Sequence, residues 1–253
     1  MNFNLIKANL NLYAVLKNLE DIVKYDTEIA KLSKDWNISI QFKVRKGPRA
    51  YIEFKNGVCF VNRGTKKWAS IILYFLSPEH LNKMFDGRGN PIPLRGITRL
   101  KFLTKDFVKL TERLEYFLKP RDELLKDKSY LELNTRLTLN TAAFALREIG
   151  ELDKIGRAVS AHMRDGSVLL KVLPEGPSVN VNINRGRILP AKGEVDKPMA
   201  VLYMKNMSVA NDFLNGKVDT FAAVASGDVQ IKGQTPMLDS LSLLLDRIPV
   251  YLT

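Results

Sequence analysis

The sequence predicts an α+β protein made of two tandem units, residues 1–122 and 123–253. Over residues 5–34, apolar residues recur at the three- and four-residue steps of a helix. From Asn37 onward they alternate with polar residues, which is the period of a strand. A similar succession of helix and strands starts again in the second half of the chain. We therefore expect two domains of similar size.

Turn residues divide the apolar segments of the first unit. Lys46–Pro48 turns the chain after a first strand, and the pair Asn56–Gly57 is a favoured two-residue hairpin turn between a second and a third strand. The apolar run Trp68–Phe75 predicts one more strand. The pair Ser77–Pro78 then predicts the start of a helix, with the serine as N-cap.

The two units match without gaps at an offset of 129 residues. The segment Lys46–Gly57 (KGPRAYIEFKNG) lies on Glu175–Gly186 (EGPSVNVNINRG), so that Gly-Pro pairs and hairpin glycines coincide. Chance matching of turn glycines is the alternative, but the same register continues further and favours a duplicated unit. The additional matches are Gly64 with Gly193, Leu73-Tyr74 with Leu202-Tyr203, Asn82 with Asn211, and Gly87 with Gly216.

The stretch Met199–Gly233 carries the clearest pattern in the chain. An apolar run at Met199–Met204 predicts a buried strand, and Asn206 or Ser208 then caps a helix that stops at a glycine. A short apolar turn at Phe221–Ala225 and an alternating strand over 228–232 follow.

Within this stretch, residues 212–233 (DFLNGKVDTFAAVASGDVQIKG) resemble the signature of the sterol carrier protein type-two family. The resemblance implies that each unit is a roughly five-stranded sheet covered by helices around an apolar tunnel for lipid. It also implies a lipid carrier or an accessory module, with no catalytic residues and no cofactor. The matching positions are Gly216, Lys217, Gly227, Val229, Ile231, Lys232 and Gly233.

The first unit departs from this signature after Gly87. Pro91 and Pro93 stand where the second unit has its short apolar turn, and they would disrupt a helix there. In the sequence, Gly96 can be laid on Gly227 with a gap, and Phe102 then replaces Gly233. We therefore expect a degenerate first domain and a fuller second one.

Composition favours a soluble globular protein, since 45% of the residues are hydrophobic and 26% are charged. No apolar run approaches the length of a membrane span, and the start of the chain lacks the pattern of a signal peptide. The single cysteine, Cys59, fits a reducing compartment. From these features we expect a cytoplasmic protein.

Apolar residues of the second unit are candidates for the wall of a lipid cavity. The last helix is nearly continuously apolar, so it either packs in an ordinary core, lies between the halves, or lines a cavity. Methionines suit a cavity that accepts variable chains, because the thioether side chain adapts its shape. The candidates are Leu202, Met204, Phe213, Leu214, Phe221, Met237, Leu241, Leu244 and Leu245.

The positive charge is concentrated in the first half. Residues 1–125 contain 23 Lys and Arg against 13 Asp and Glu, whereas residues 126–253 contain 16 against 14. The excess is either a solubility surface or a contact surface for an anionic partner. If the loops share one edge of the sheet, the candidates for such a rim are Arg45, Lys46, Arg49, Arg63, Lys66, Lys67, Arg88, Arg95 and Arg99.

No residue pattern indicates an enzyme or a metal site. The two histidines, His80 and His162, have no second ligand at a usable spacing, and Cys59 has no neighbouring base in the sequence. The loops Arg63–Lys67 and Gly87–Gly89 do not have the spacing of a phosphate-binding loop.

Two hypotheses of function remain. The first is non-enzymatic binding, and transfer between membranes, of a fatty acid, phospholipid or other lipid. The second is a non-transporting interaction scaffold whose basic first half binds an acidic protein, nucleic acid or an anionic membrane surface. In either case we expect a monomer whose two halves are related by a pseudo-twofold axis, as in an internal dimer.

Overall fold

The computed structural model describes residues 3–99 and 101–252. These residues form two compact units, 3–119 and 120–252. Each unit is an α+β domain in which a five-stranded mixed sheet is covered by helices, as the sequence predicts. The pseudo-twofold relation between the units stays a prediction.

The first unit begins with a nearly continuous helical segment. Helix α1 (Phe3–Leu10) passes through a π-helical turn (Asn11–Val15) and a 3-10 turn (Leu16–Asn18) into α2 (Leu19–Tyr25). The chain then enters α3 (Thr27–Ser33). The other elements are β1 (Ile38–Val44), β2 (Arg49–Lys55), β3 (Val58–Arg63), β4 (Ile71–Phe75), α4 (Pro78–Phe85), β5 (Ile92–Arg95) and α5 (Phe107–Leu118).

The second unit follows the same plan with one extra helix. Its elements are α6 (Lys128–Leu152), α7 (Lys154–His162), β6 (Gly166–Val172), β7 (Ser178–Asn184), β8 (Arg187–Lys192), β9 (Ala200–Met204), α8 (Met207–Leu214), α9 (Thr220–Ala225), β10 (Val229–Gly233) and α10 (Thr235–Leu245). Helix α9 is the element without a counterpart, because residues 86–91 of the first unit connect α4 to β5 without a helix. Pro91 closes that connection, in agreement with the expectation that proline prevents a helix there.

Strand order is identical in the two sheets. The first is β3-β2-β1-β4-β5 and the second β8-β7-β6-β9-β10. Strands β1 and β4 pair in parallel, as do β6 and β9, and all other neighbours are antiparallel. The registers also correspond, since Ile52 pairs with Val61 in the first sheet and Val181 with Pro190 in the second. The offset found in the sequence therefore reflects a repeated topology.

The predicted turns and helix starts are confirmed. Asn56 and Gly57 both have positive φ, as a two-residue hairpin turn of type I′ requires, and so do Arg185 and Gly186. The Ser77 side chain caps α4 by accepting from the backbone N–H of His80. In the second unit Asn206, the first of the two candidates, caps α8.

Two details differ from the sequence-based expectation. Strand β4 begins at Ile71 and not at Trp68, whose side chain is 72% exposed, because the chain is still in a turn at Trp68. The second difference concerns Gly96, which corresponds to Gly233 and not to Gly227. A Cβ at Gly96 would meet the carbonyl oxygen of Ser70, and one at Gly233 would meet that of Met199, which is the equivalent residue at the offset of 129.

The reason for this misalignment is the missing helix. The sequence comparison placed a small gap after Gly87, whereas the strand pairing shows that the whole α9 segment is absent from the first unit. Phe102 therefore does not replace a signature glycine. It lies in a π-helical turn (Phe102–Asp106) after β5 and contacts Trp36 edge-on at 5.0 Å between ring centroids.

Candidate functional site

The apolar interior of the second unit lies between β9 and the helices that pack on it. Leu202 and Met204 lie on the same face of β9, with exposures of 9% and 1%. Helices α8 and α10 both contact β9, and α9 contacts the neighbouring strand β10. The elements that carry the nine predicted cavity residues are therefore brought together.

Helix α10 supplies three of the five buried members of this set. Met237, Leu241 and Leu244 are each at most 3% exposed, because their spacing of three and four residues places them on one side of the helix. The opposite side carries Leu243, which is 55% exposed. Most of the apolar side of α10 is thus buried, whereas Leu243 exposes apolar surface to solvent.

Three predicted residues are half-buried and lie at the border of this interior. They are Phe213 and Leu214, at the end of α8, and Leu245, at the end of α10. Each of them therefore keeps part of its apolar side chain in contact with solvent. This is the kind of boundary at which an apolar ligand could enter.

Phe221 does not line the interior. Its side chain is 86% exposed, whereas Ala223, two residues later, is 2% exposed. Residues two positions apart lie on nearly opposite sides of a helix, so the side of α9 that packs on the protein is the alanine side. Together with Val218 and Val224, Phe221 forms an exposed apolar stripe.

A buried carboxylate holds the segment after α10 in place. Asp153 is fully buried, and its Oδ1 accepts from the backbone N–H of Gly156 at the start of α7. Its Oδ2 accepts from Arg247 Nη2 at 3.2 Å and from the Tyr251 hydroxyl at 2.6 Å. One side chain therefore caps a helix and ties the C-terminal segment to it.

Burial by itself would raise the pKa of Asp153. The hydrogen bonds from Arg247, Tyr251 and Gly156 outweigh that effect and place the pKa below the ordinary value for an aspartate. The carboxylate is therefore ionised at neutral pH, which keeps the contact with Arg247 charged on both sides.

The first unit repeats this arrangement. Asp26 is 4% exposed, caps α3 through the N–H of Ile29, and accepts from Arg113 Nε of α5 at 2.7 Å. Sequence reasoning missed both contacts, although an aspartate at the junction of two helices in each unit was a readable N-cap signal. The arginine partners lie far along the chain, at offsets that the ungapped repeat does not preserve.

Buried amides form a second repeated contact. Asn82 of α4 donates to the backbone oxygen of Asn4 and accepts from Asn11, while Asn211 of α8 donates to the side chains of Asn134 and Thr135. The match of Asn82 with Asn211 in the sequence therefore marks a structural contact between helices. It is not a ligand site.

The nine predicted cationic residues are all in the first unit but do not form one rim. Arg45, Lys46, Arg49 and Arg63 lie near the carboxyl end of β1, where Arg49 pairs with Lys43 and Arg45 donates to the Phe75 carbonyl. Lys66 and Lys67 belong to the loop that follows β3, and Lys66 Nζ lies 3.1 Å from Glu53.

The remaining three flank β5. Arg88 precedes the strand and is paired with Asp86 at 3.0 Å, whereas Arg95 ends the strand and Arg99 lies in the turn after it. The loops do not share one edge of the sheet, because β5 and β3 are its two opposite edges. A role of these residues in contacting an anionic surface stays a prediction.

His80 and Cys59, two candidates for a metal site or a catalytic group, have structural roles. His80 Nδ1 accepts from the backbone N–H of Leu76, so its Nε2 carries the proton and donates to the Asn90 carbonyl at 2.8 Å. Cys59 is buried in β3. Among residues 3–99 and 101–252, no group of three His, Cys, Asp or Glu side chains could hold a metal ion.

An open cleft of about 510 Å³ occurs elsewhere in the second unit. It is lined by Asn184, Arg185, Arg187 and Leu189 around the hairpin between β7 and β8. The hairpin lies at the opposite edge of the sheet from β10, because β8 and β10 are the two edge strands. The cleft is therefore separate from the apolar interior next to β9.

No helix in the described part of the chain is long and apolar enough to cross a membrane. A scan against protein-family models and a search of curated proteins gave no match.

A search of solved structures matches the chain to several sterol carrier protein 2 domains. Domain 2 of the sterol carrier protein of Helicoverpa armigera is 20% identical with a TM-score of 0.35, and the match covers 44% of this chain and 87% of that one. Sterol carrier protein 2 of Yarrowia lipolytica in its apo form is 11% identical with a TM-score of 0.34, covering 43% and 90%. Palmitated SCP2L2 of Aedes aegypti is 13% identical with a TM-score of 0.30, covering 38% and 83%. The chain is thus similar to sterol carrier protein 2 domains, each of which spans less than half of it.

Proposed function

We propose that the second unit binds the apolar part of a lipid, non-enzymatically, between β9 and helices α8 and α10. The observation that carries this proposal is that buried apolar residues of β9 and α10 lie in elements that contact each other, while Phe213 and Leu214 of the neighbouring helix α8 are only half-buried. The sequence signature over residues 212–233 also favours the second unit as the lipid-binding domain, because the first unit lacks the second half of that signature.

Binding of this kind is driven by removal of apolar surface from water. At about 25 cal/mol per Å² of apolar surface removed from water, an acyl chain in an apolar cavity gains about as much free energy as it does in a bilayer, so exchange between the two is close to neutral. Methionines at positions 204 and 237 allow the wall to adapt to chains of different shape. Transfer between membranes is the further step that this proposal includes.

The first test is native mass spectrometry of the delipidated full chain with palmitate and with a phosphatidylcholine. We expect one bound lipid per chain, because the proposal assigns the site to the second unit alone. A mass that stays that of the free chain with both lipids would contradict the proposal.

A pair of equivalent substitutions then tests the location of the site. Leu214 at the end of α8 and Phe85 at the end of α4 are half-buried residues at the same position of the repeat. Leu214→Gln should weaken palmitate binding about ten-fold by removing apolar contact area, whereas Phe85→Gln should leave it unchanged. Equal effects of the two substitutions would contradict the assignment to the second unit.

A further inference from the structure

The surface of the first unit around β5 combines exposed aliphatic side chains with cations. All four residues of this edge strand are exposed. Leu94 is 55% exposed, Ile92 is 38% exposed, and Ile97 in the following turn is 64% exposed. We call this region the β5 surface, defined by Ile92, Leu94 and Ile97 with Arg88, Arg95, Arg99, Lys101 and Lys105.

The second unit shows why this surface is uncovered. There, α9 packs on the equivalent edge strand β10, and Val229 at the start of that strand is 1% exposed. The first unit connects α4 to its edge strand through residues 86–91 without a helix. The start of the edge strand is therefore buried in the second unit, whereas its start in the first unit, Ile92, is exposed.

The charge around the two edge strands differs as well. From Gly87 to Lys105 the chain contains five Lys and Arg and no Asp or Glu. The directly equivalent segments are Gly87–Gly96, with two Arg and no acidic residue, and Gly216–Gly233, with two Lys and two Asp. Apart from Asp86, which pairs with Arg88, the charged residues next to β5 in the sequence are thus cations, whereas those next to β10 are balanced.

We propose that the β5 surface docks the protein on an anionic phospholipid bilayer. Cations near such a bilayer are each attracted by the negative surface potential, and aliphatic side chains enter the boundary between headgroups and acyl chains. Nucleic acid would be attracted by the same cations, but it stacks on aromatic side chains, and the exposed apolar residues of this surface are aliphatic. The bilayer is the partner that uses both features.

This docking surface lies in the first unit and the proposed lipid site in the second. Because vesicle attachment and palmitate binding are measured in separate experiments, either proposal can fail without the other. The test is co-sedimentation of the full chain with vesicles of phosphatidylcholine alone or with about one third phosphatidylserine. We expect attachment to the anionic vesicles that weakens when the salt is raised to about 0.5 M, and little attachment to the neutral ones.

Two double variants examine the two components of the surface. Arg95→Gln/Arg99→Gln and Leu94→Ser/Ile97→Ser should each weaken attachment about ten-fold, because each removes two exposed contact side chains. A matched control is Arg185→Gln/Arg187→Gln, which removes the same charge from exposed positions of the second unit and should change attachment less than two-fold. Circular dichroism would check that every variant remains folded.

Three outcomes would overturn the proposal. They are no attachment to anionic vesicles, equal attachment to neutral ones, and equal losses for the two arginine pairs. The first would direct the search to an acidic protein as the partner of this surface, and the third would indicate attraction by net charge alone.

Discussion

Replacing Asp153 with alanine is expected to lower the stability of the second unit by about 3 kcal/mol. The substitution removes the cap of α7, which is worth about 1 kcal/mol, and leaves Arg247 and Tyr251 without their shared acceptor. The chain after α10 would lose its main polar contact with α7, so α10 itself should open more often. Because α10 supplies three of the five buried apolar residues of the proposed site, palmitate binding should weaken as well.

Asp219 provides a matched control for this prediction. Asp219 caps α9 in the same way, by accepting from the backbone N–H of Ala222. Unlike Asp153, it is exposed, and its capping contact includes no arginine. Asp219→Ala should therefore cost only about 1 kcal/mol. Both tryptophans, Trp36 and Trp68, belong to the first unit, so the measurement should be hydrogen exchange in peptides of β6 and β9. Equal losses of protection in the two variants would contradict the predicted role of Asp153.

The contribution of Asp153 should also depend on pH in one direction. Its pKa is lower in the folded protein than the value of about 3.9 expected for an unfolded chain. The folded state thus binds fewer protons, so this stabilisation is complete above about pH 4 and is lost as the pH falls through the folded pKa. The stability difference between the wild type and Asp153→Ala should accordingly be constant near neutrality and shrink in acid.

Replacing Gly233 with alanine is expected to cost about 3 kcal/mol and to separate the end of β10 from β9. Gly233 has φ of +85°, and a Cβ there would clash with the carbonyl oxygen of Met199. The left-handed backbone conformation alone costs an alanine about 1 kcal/mol, and the clash adds strain of the kind produced by overpacking. Gly227 is the control, because its φ is +77° but a Cβ there would meet no atom within 4 Å.

Hydrogen exchange of the β9 and β10 amides would test this pair of substitutions. Gly233→Ala should accelerate exchange in both strands, whereas Gly227→Ala should leave it nearly unchanged. The corresponding change in the first unit, Gly96→Ala, should resemble Gly233→Ala, because a Cβ at position 96 would lie 2.9 Å from the Ser70 carbonyl oxygen. If Gly96→Ala behaved like Gly227→Ala, the proposed equivalence of the two edge strands would be wrong.

Much of the fold was readable because its signals are local. Hairpin turns such as Asn56–Gly57 need particular residues at particular backbone angles, and helix starts such as Ser77–Pro78 need a capping side chain. Since both units use the same turns in the same order, their strands could be aligned before the structure was known. The edge strands could not, because the prolines predict that no helix forms after Gly87 but do not show that the whole α9 segment is missing, which is seen only in the pairing of β4 with β5.

The candidate site was only partly predictable for a similar reason. Periodicity places Met237, Leu241 and Leu244 on one side of α10 correctly, but it does not tell which side of the short helix α9 faces the protein. Phe221 was therefore assigned to the interior although it is exposed. The contacts of Asp153 and Asp26 with arginines join residues about ninety positions apart, a distance over which sequence spacing alone carries no geometric information.

The location of the bound lipid tests the central claim most directly. The full chain would be incubated with a palmitate analogue that carries a photoreactive group on its acyl chain, irradiated, digested and analysed by mass spectrometry. We predict crosslinks to peptides that contain Phe213–Leu214 or Met237–Leu245, with competition by unlabelled palmitate. Crosslinks confined to residues 3–119, or labelling that palmitate does not reduce, would contradict the assignment of the lipid site to the second unit.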